Sequence, residues 1–163
     1  MMFSHKKSRG TITTALVALI CAMQIMIPIY QAQAVVPVID AAREVVDYLL
    51  FVDEAPFADA IHGSTRFAEK FTAQGPRDRR GRSLRDLDLK RRLMRYPCSY
   101  LIYSAAFDGL PGEARSAIYA RLWEILSGRE AGPRYARLSA GDRRAIIEIL
   151  RDTKAGLPEY WMK

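Results

Sequence analysis

The feature that most constrains this chain is an almost uninterrupted apolar run near its N-terminus, from Thr11 to Tyr30. Basic residues at positions 6, 7 and 9 precede it, and the sequence Gln31-Ala32-Gln33-Ala34 follows. This order is typical of a secretory signal peptide, in which small residues three and one positions before the cut fit the peptidase. We therefore predict cleavage after Ala34, so that residues 1–34 are a signal peptide and residues 35–163 fold as one domain.

The alternative is an uncleaved anchor, because the apolar run is long enough to span a bilayer, which takes ~20 residues. Gln24 and Pro28 interrupt the run, and this favours cleavage. The predicted location is the periplasm or the exterior. If residues 11–30 are retained, the location is the inner membrane, and this segment is the only part expected to insert into it.

Removal of residues 1–34 changes the charge and the chemistry that remain. It takes away three of the 25 Lys and Arg residues and none of the 18 Asp and Glu residues, so the net charge falls from +7 to +4. The remaining chain has one cysteine, Cys98, and one histidine, His62. An intramolecular disulfide is therefore excluded, as are His-rich zinc sites and CxxCH haem attachment. We predict no cofactor and no metal site.

Apolar residues recur at helical spacing along most of the chain, which predicts an all-α, compact domain of about five to six helices. A first helix is expected from Val38 to near Phe51, and a short one capped by Ser64 and stopped by Gly75-Pro76. Later helices are expected from Ala114 to Leu126 and from a capping Ser139 to near Gly156. Trp161 is expected to dock the C-terminus onto the domain.

The segment between residues 83 and 107 predicts two further helices. Ser83 and Asp86 resemble a capping box, and a helix from there to Tyr96 would place Leu84, Leu87 and Met94 on one stripe. Asp86 with Lys90 and Asp88 with Arg92 would form favourable i, i+4 pairs. Pro97 should end that helix and begin another, apolar on most sides and central, that runs to about Phe107.

Four stretches also resemble a C-terminal block found in exported proteins of Gram-negative bacteria whose function is unknown. They are GPRDRRGRSLRDLDLKRRL, RYPCSYLIYSAAFDGLP, YARLWEILSG and RRAIIEILRDTKAGLP. The resemblance covers roughly residues 64 to 160. It implies a shared helical domain and a periplasmic or secreted location, and it implies no activity, ligand or catalytic residue.

A cluster of basic residues between positions 66 and 95 gives the strongest functional lead. Eleven Lys and Arg residues lie there against four acids, so the segment carries +7 while the rest of the mature chain carries −3. A loop with guanidinium groups that leads into a helix N-terminus can hold phosphate or carboxylate. The candidate anion-binding or partner-binding residues are Arg77, Arg79, Arg80, Arg82 and Arg85. In the alternative, these arginines pair with Asp78, Asp86, Asp88 or acids elsewhere.

Cys98 is the candidate nucleophile, since a thiol near a helix N-terminus has a lowered pKa. It would need His62 as its base, and His62 lies far away in sequence. The favoured alternative is that Cys98 is buried packing, because free cysteines are among the most buried residues. Tyr96, Tyr100 and Tyr103 could line a binding groove, but they are expected to pack in the core.

Two functions follow from these residues. The favoured one is a non-enzymatic, exported binding module whose arginine-rich face contacts an envelope protein or an anionic envelope surface such as phospholipid. The alternative is a small enzyme that uses Cys98 and His62. Nucleic acid is not an expected partner, because no Walker, RNP or zinc-finger pattern is present.

Overall fold

A computed structural model describes residues 38–63 and 66–163. The expected signal peptide, its cleavage site and the expected cap Ser64 lie outside these residues. Within them the chain forms five α-helices, four of which have seven residues or more, and no β-strand. The prediction of an all-α fold is confirmed.

Three short 3₁₀ segments accompany the helices in this part of the chain, two between helices and one after the last of them. Helix α1 covers residues 38–49. It is followed by α2 (Phe67–Ala73), α3 (Ala105–Asp108), α4 (Gly112–Leu126) and α5 (Ala140–Thr153). The 3₁₀ segments are Tyr100–Tyr103, Pro133–Tyr135 and Glu159–Met162. None of the helices in the described residues is long and apolar enough to cross a membrane.

The core lies where α1, α4 and α5 bury their apolar stripes. Val46 of α1, Leu122 of α4 and Ile149 of α5 have no exposed surface. Trp161 is also fully buried and packs on Tyr119 and Trp123 of α4, with ring centroids 6.3 and 5.3 Å away. The expectation that Trp161 docks the C-terminus is therefore confirmed.

The start of α5 is the predicted capping box. The hydroxyl of Ser139 accepts a hydrogen bond from the backbone N–H of Asp142 at 3.0 Å, and the N–H of Ser139 donates to the Asp142 carboxylate at 3.3 Å. Two of the N–H groups that a helix N-terminus leaves without partners are thereby satisfied.

The helix expected from Ser83 to Tyr96 is wrong, because these residues form a turn and a hairpin. Leu87 pairs with Met94 in an isolated antiparallel bridge, and the N–H of Asp88 donates to the carbonyl of Leu93. The carboxylate of Asp88 accepts the N–H groups of Lys90 and Arg91 at 3.2 and 3.4 Å. Such local bonds from an aspartate compete with the helical hydrogen bonds, and here they prevail.

The helix expected from Pro97 is shorter and broken. Ser99 caps the 3₁₀ segment Tyr100–Tyr103, and Ser104 caps α3 through the N–H of Phe107. Each serine interrupts the regular pattern by bonding the backbone two or three residues later. Ile102 is fully buried as expected for a central segment, whereas Leu101 is 55% exposed.

Candidate functional site

The arginine loop is held against α5 by ion pairs. Arg79 forms a two-pronged contact with Asp152, in which its Nη2 lies 2.7 Å and its Nε 3.0 Å from one carboxylate oxygen. Arg80 and Arg82 both donate to Glu148, at 2.9 and 2.7 Å. Hydrogen bonds and charge from these two arginines hold the pKa of Glu148 below its usual range. The positive loop thus lies on a negative helix face.

Asp78 is the buried centre of this loop, with only 1% of its side chain exposed. One of its oxygens accepts the backbone N–H groups of Arg80 and Arg82 at 2.9 and 2.7 Å, and the other accepts Nε of Arg82 at 2.7 Å. Burial alone would raise the pKa of Asp78, but the hydrogen bonds from Arg82 and Arg80 outweigh it and lower the pKa. Gly81 closes the turn with a φ of 75°.

The remaining two arginines of the candidate set have other contacts. Arg77 donates to the carbonyls of Gly81 and Thr72 and to the carboxylate of Asp86. Arg85 has no carboxylate partner among the described residues, and its guanidinium lies over the rings of Phe71 and Tyr100. The contacts of Arg77, Arg79, Arg80 and Arg82 match the alternative in which arginines pair with nearby acids. Anion binding by this loop stays a prediction.

Cys98 and His62 occupy different environments. Cys98 has no exposed surface and lies before the 3₁₀ segment, so it is not within a helix N-terminus as expected. Burial raises the pKa of Cys98 to about 12, which suppresses the thiolate that a nucleophile requires. His62 lies in an exposed loop. The geometry supports packing as the role of Cys98.

The tyrosines contribute to the core, with their rings partly buried. The hydroxyl of Tyr103 lies 2.7 Å from that of Thr153, and burial raises the pKa of Tyr103 to about 12. Tyr100 differs, because one side of its ring meets Arg85 and Phe71 and the residue also lines a groove.

This groove is an apolar concavity with a volume of about 860 Å³. It lies between α2, the hairpin at residues 87–94 and the 3₁₀ segment that follows. Its aromatic walls are Phe51, Phe67, Phe71 and Tyr100. Its aliphatic walls are Ile61, Leu87, Leu89, Leu93, Met94 and Leu101. Arg66, Glu69 and Ser99 supply the charged and hydroxyl side chains of the lining.

Several walls of the groove remain in contact with solvent. Phe67 is 65% exposed, Leu101 55%, Ile61 50% and Leu93 41%. Ligand sites typically have volumes of roughly 300 to 1,000 Å³, mostly apolar walls and a few polar groups. The groove has these properties. Contiguous exposed apolar surface of this kind marks sites of interaction.

A second hollow adjoins the groove and is acidic. It shares the walls Phe51 and Leu93 with the groove, and Tyr48 lies in it with 74% of its surface exposed. Its charged lining consists of Glu44, Asp47, Asp53, Glu54 and Arg134. The concave surface therefore changes from apolar to negative on the side of α1.

The described residues contain no group of three or more His, Cys, Asp or Glu side chains that could hold a metal ion. Comparison with protein-family models, with curated proteins and with solved structures finds no match to this chain. The resemblance to exported Gram-negative proteins stays a prediction.

Sequence reasoning missed the groove because it assigned the same side chains to a helix. Leu87 and Met94 were expected on the apolar stripe of a helix that does not form. Phe67 and Phe71 lie on the predicted short helix, and the structure shows that this helix, α2, has no buried residue. The signal that could have revealed the site is an apolar short helix beside an apolar segment that is dense in aspartate.

Proposed function

We propose that this protein is a non-enzymatic, exported binding module of the cell envelope, and that the groove beside α2 is its binding surface. The observation that carries the proposal is the groove itself, with its apolar walls and half-exposed Phe67 and Leu101. Burial of such side chains by a ligand is favourable by ~25 cal/mol for each Å² removed from water.

The arginine loop supports this assignment by contrast. Arg79, Arg80 and Arg82 already donate to carboxylates of the same chain, so these partners compensate their charge and an external anion would compete with them. The groove has no such internal occupant among the described residues. Within the part of the chain that the structure describes, a ligand can cover the apolar walls of the groove without competing with an internal partner.

The alternative function, an enzyme with Cys98 as nucleophile and His62 as base, has less support from the geometry. A fully buried thiol with a raised pKa is neither accessible nor ionised near neutral pH.

The experiment is a titration with the neutral apolar dye N-phenyl-1-naphthylamine, whose fluorescence rises in apolar surroundings. The double variant Phe67→Ser, Leu101→Ser removes two exposed walls and should weaken dye binding on the order of tenfold. The matched control Tyr48→Ser, Met162→Ser removes two apolar side chains of similar exposure outside the groove and should leave the affinity unchanged. Equal affinity of all three proteins would refute the groove as the binding surface.

A further inference from the structure

The basic residues of segment 66–95 divide into two sets once their partners are known. Six lie within ion-pair distance of a carboxylate, namely Arg77, Arg79, Arg80, Arg82, Arg91 and Arg92. The other five have no carboxylate partner among the described residues, namely Arg66, Lys70, Arg85, Lys90 and Arg95. The charge that is available to an external ligand therefore lies with the second set.

Four of these five cations lie around the groove. Arg66 lines it and is the N-cap residue of α2, and Lys70 lies one turn later, where its backbone N–H donates to the carbonyl of Arg66. Lys90 is exposed and directly follows the lining residue Leu89. Glu69 is the one acidic lining residue of the groove. Asp86 and Asp88 adjoin the lining residue Leu87 in the chain, but they pair with Arg77 and Arg91. The four cations without a carboxylate partner therefore exceed Glu69 by three charges.

Arg85 is the fourth cation, and it lies at the aromatic wall. Its Cζ is 4.6 Å from the centroid of Phe71 and 4.2 Å from that of Tyr100. Contact with two ring faces fixes the guanidinium beside the apolar surface. An apolar ligand in the groove thus meets positive charge at its edge.

The exposed walls and these cations belong to the same short segments of chain or contact the same rings. Phe67 and Leu101 expose more than half of their surface. An aromatic residue with neighbouring Lys and Arg is typical of the boundary between lipid headgroups and acyl chains. The acidic hollow past Phe51 and Leu93 would be repelled by a negative surface, so contact is expected on the side of α2.

From this arrangement we propose that the groove docks on the surface of an anionic phospholipid bilayer. Phe67, Leu101 and Ile61 enter the acyl boundary, while Arg66, Lys70, Arg85 and Lys90 contact the phosphates. The inference rests on the proposed function, since it names the ligand class of the same groove. It assigns the electrostatic role to cations other than the paired arginines Arg79, Arg80 and Arg82.

The test is co-sedimentation with vesicles of phosphatidylglycerol and phosphatidylcholine, and with vesicles of phosphatidylcholine alone. The full chain is expressed, so that any processing by the cell is the same for every variant. The protein should prefer the anionic vesicles and lose that preference as salt rises. Replacement of two cations, Lys70→Gln with Lys90→Gln, should weaken binding by about 25-fold, since each basic residue at such a surface contributes about fivefold.

Two matched controls test whether vesicle binding depends on these particular residues or only on net charge and exposed apolar surface in general. Arg79→Gln with Arg80→Gln removes the same charge from the paired loop and should weaken binding by less than about fivefold, the contribution of a single cation. Tyr48→Ser removes an exposed aromatic residue on the acidic side and should not change binding, whereas Phe67→Ser should weaken it.

A second measurement reports the docking surface even if residues 11–30 are retained and hold the protein on the vesicle. Tryptophan introduced as Phe67→Trp should be quenched by brominated acyl chains in anionic vesicles, and tryptophan introduced as Tyr48→Trp should not. Quenching is measured relative to the parent protein, whose Trp161 is buried and Trp123 partly buried.

The inference is overturned if binding ignores phosphatidylglycerol, or if both pairs of charge substitutions weaken it equally. It is also overturned if a partner protein from an envelope extract binds the groove and vesicles do not. Dye binding that depends on Phe67 without vesicle binding would leave the proposed function intact and refute the bilayer alone. If neither dye binding nor vesicle binding depends on Phe67, both the proposed function and the bilayer inference are refuted.

Discussion

Asp78 provides the most demanding test of how the loop at residues 76–82 is held together and packs against α5. The substitution Asp78→Asn keeps the size of the side chain and removes its charge. The native carboxylate accepts three hydrogen bonds, from the N–H of Arg80, the N–H of Arg82 and the guanidinium of Arg82. The amide oxygen of asparagine can keep the two backbone hydrogen bonds, but its amide nitrogen cannot accept the one from the Arg82 guanidinium.

The structure sets the expected decrease in the free energy of unfolding. Because Asp78 is 1% exposed and Arg82 18% exposed, the pair is largely removed from solvent. Removal of one partner from a buried ion pair costs ~3 to 5 kcal/mol. Arg82 keeps Glu148 at 2.7 Å, so we expect the lower end, about 3 kcal/mol. For a domain of this size, that corresponds to a fall in melting temperature of roughly 12 °C.

The assay is urea unfolding followed by circular dichroism, with thermal melts in parallel. The matched control is Asp40→Asn, the same chemical change in an exposed pair, where Asp40 and its partner Arg43 are both about 60% exposed at 61% and 59%. That substitution should change the free energy of unfolding by less than about 1 kcal/mol.

The pH dependence gives an independent check. The pKa of Asp78 is lowered in the folded state, so its contribution to stability is complete above about 3.9, the usual pKa of an unfolded aspartate. As the pH falls through the lowered folded pKa, this contribution is lost. The difference in stability between the native protein and Asp78→Asn should therefore shrink in acid. A loss below about 1 kcal/mol at neutral pH, or a difference that is constant down to strong acid, would refute the assignment.

Two further predictions concern the core. Native Cys98 should resist iodoacetamide near neutral pH and react after denaturation, because it is fully buried and its pKa is raised to about 12; rapid native labelling detected by mass spectrometry would contradict its role as packing. Trp161→Ala should lower the free energy of unfolding by about 4 kcal/mol, since it leaves a cavity beside Tyr119 and Trp123. Trp161→Phe should cost clearly less in the same urea titration, and equal losses would show that the cavity is not the cause.

The helices that the sequence predicted correctly are those whose local and long-range signals agree. Ser139 and Asp142 begin α5 as expected, and Ile146, Ile149 and Leu150 then face the core. For α4, the apolar stripe is likewise buried, at Ile118, Leu122 and Ile125. In both helices the capping or breaking residues and the apolar period select the same boundaries.

The segment 83–96 shows where such reasoning fails. Its apolar residues fit a helical stripe, but the carboxylate of Asp88 satisfies the backbone of Lys90 and Arg91 more locally. Leu89 then adopts a φ of 57°, which a helix does not allow. The helical interpretation of this segment hid the groove, because the groove depends on the hairpin and on α2, which has no buried residue.

The arginine cluster was visible in the sequence, but its partners were not. Arg79 and Asp152 are 73 residues apart, and Arg80 and Glu148 are 68 apart. Only the fold brings these charges together. The composition of one segment therefore overstated the charge available to a ligand.

The burial of Trp161 also determines when this domain can finish folding during its synthesis. Tyr119 and Trp123 of α4 can pack against Trp161 only after residue 161 has been synthesised. Until then the growing chain exposes unfilled apolar surface, a state in which chaperones recognise nascent polypeptides.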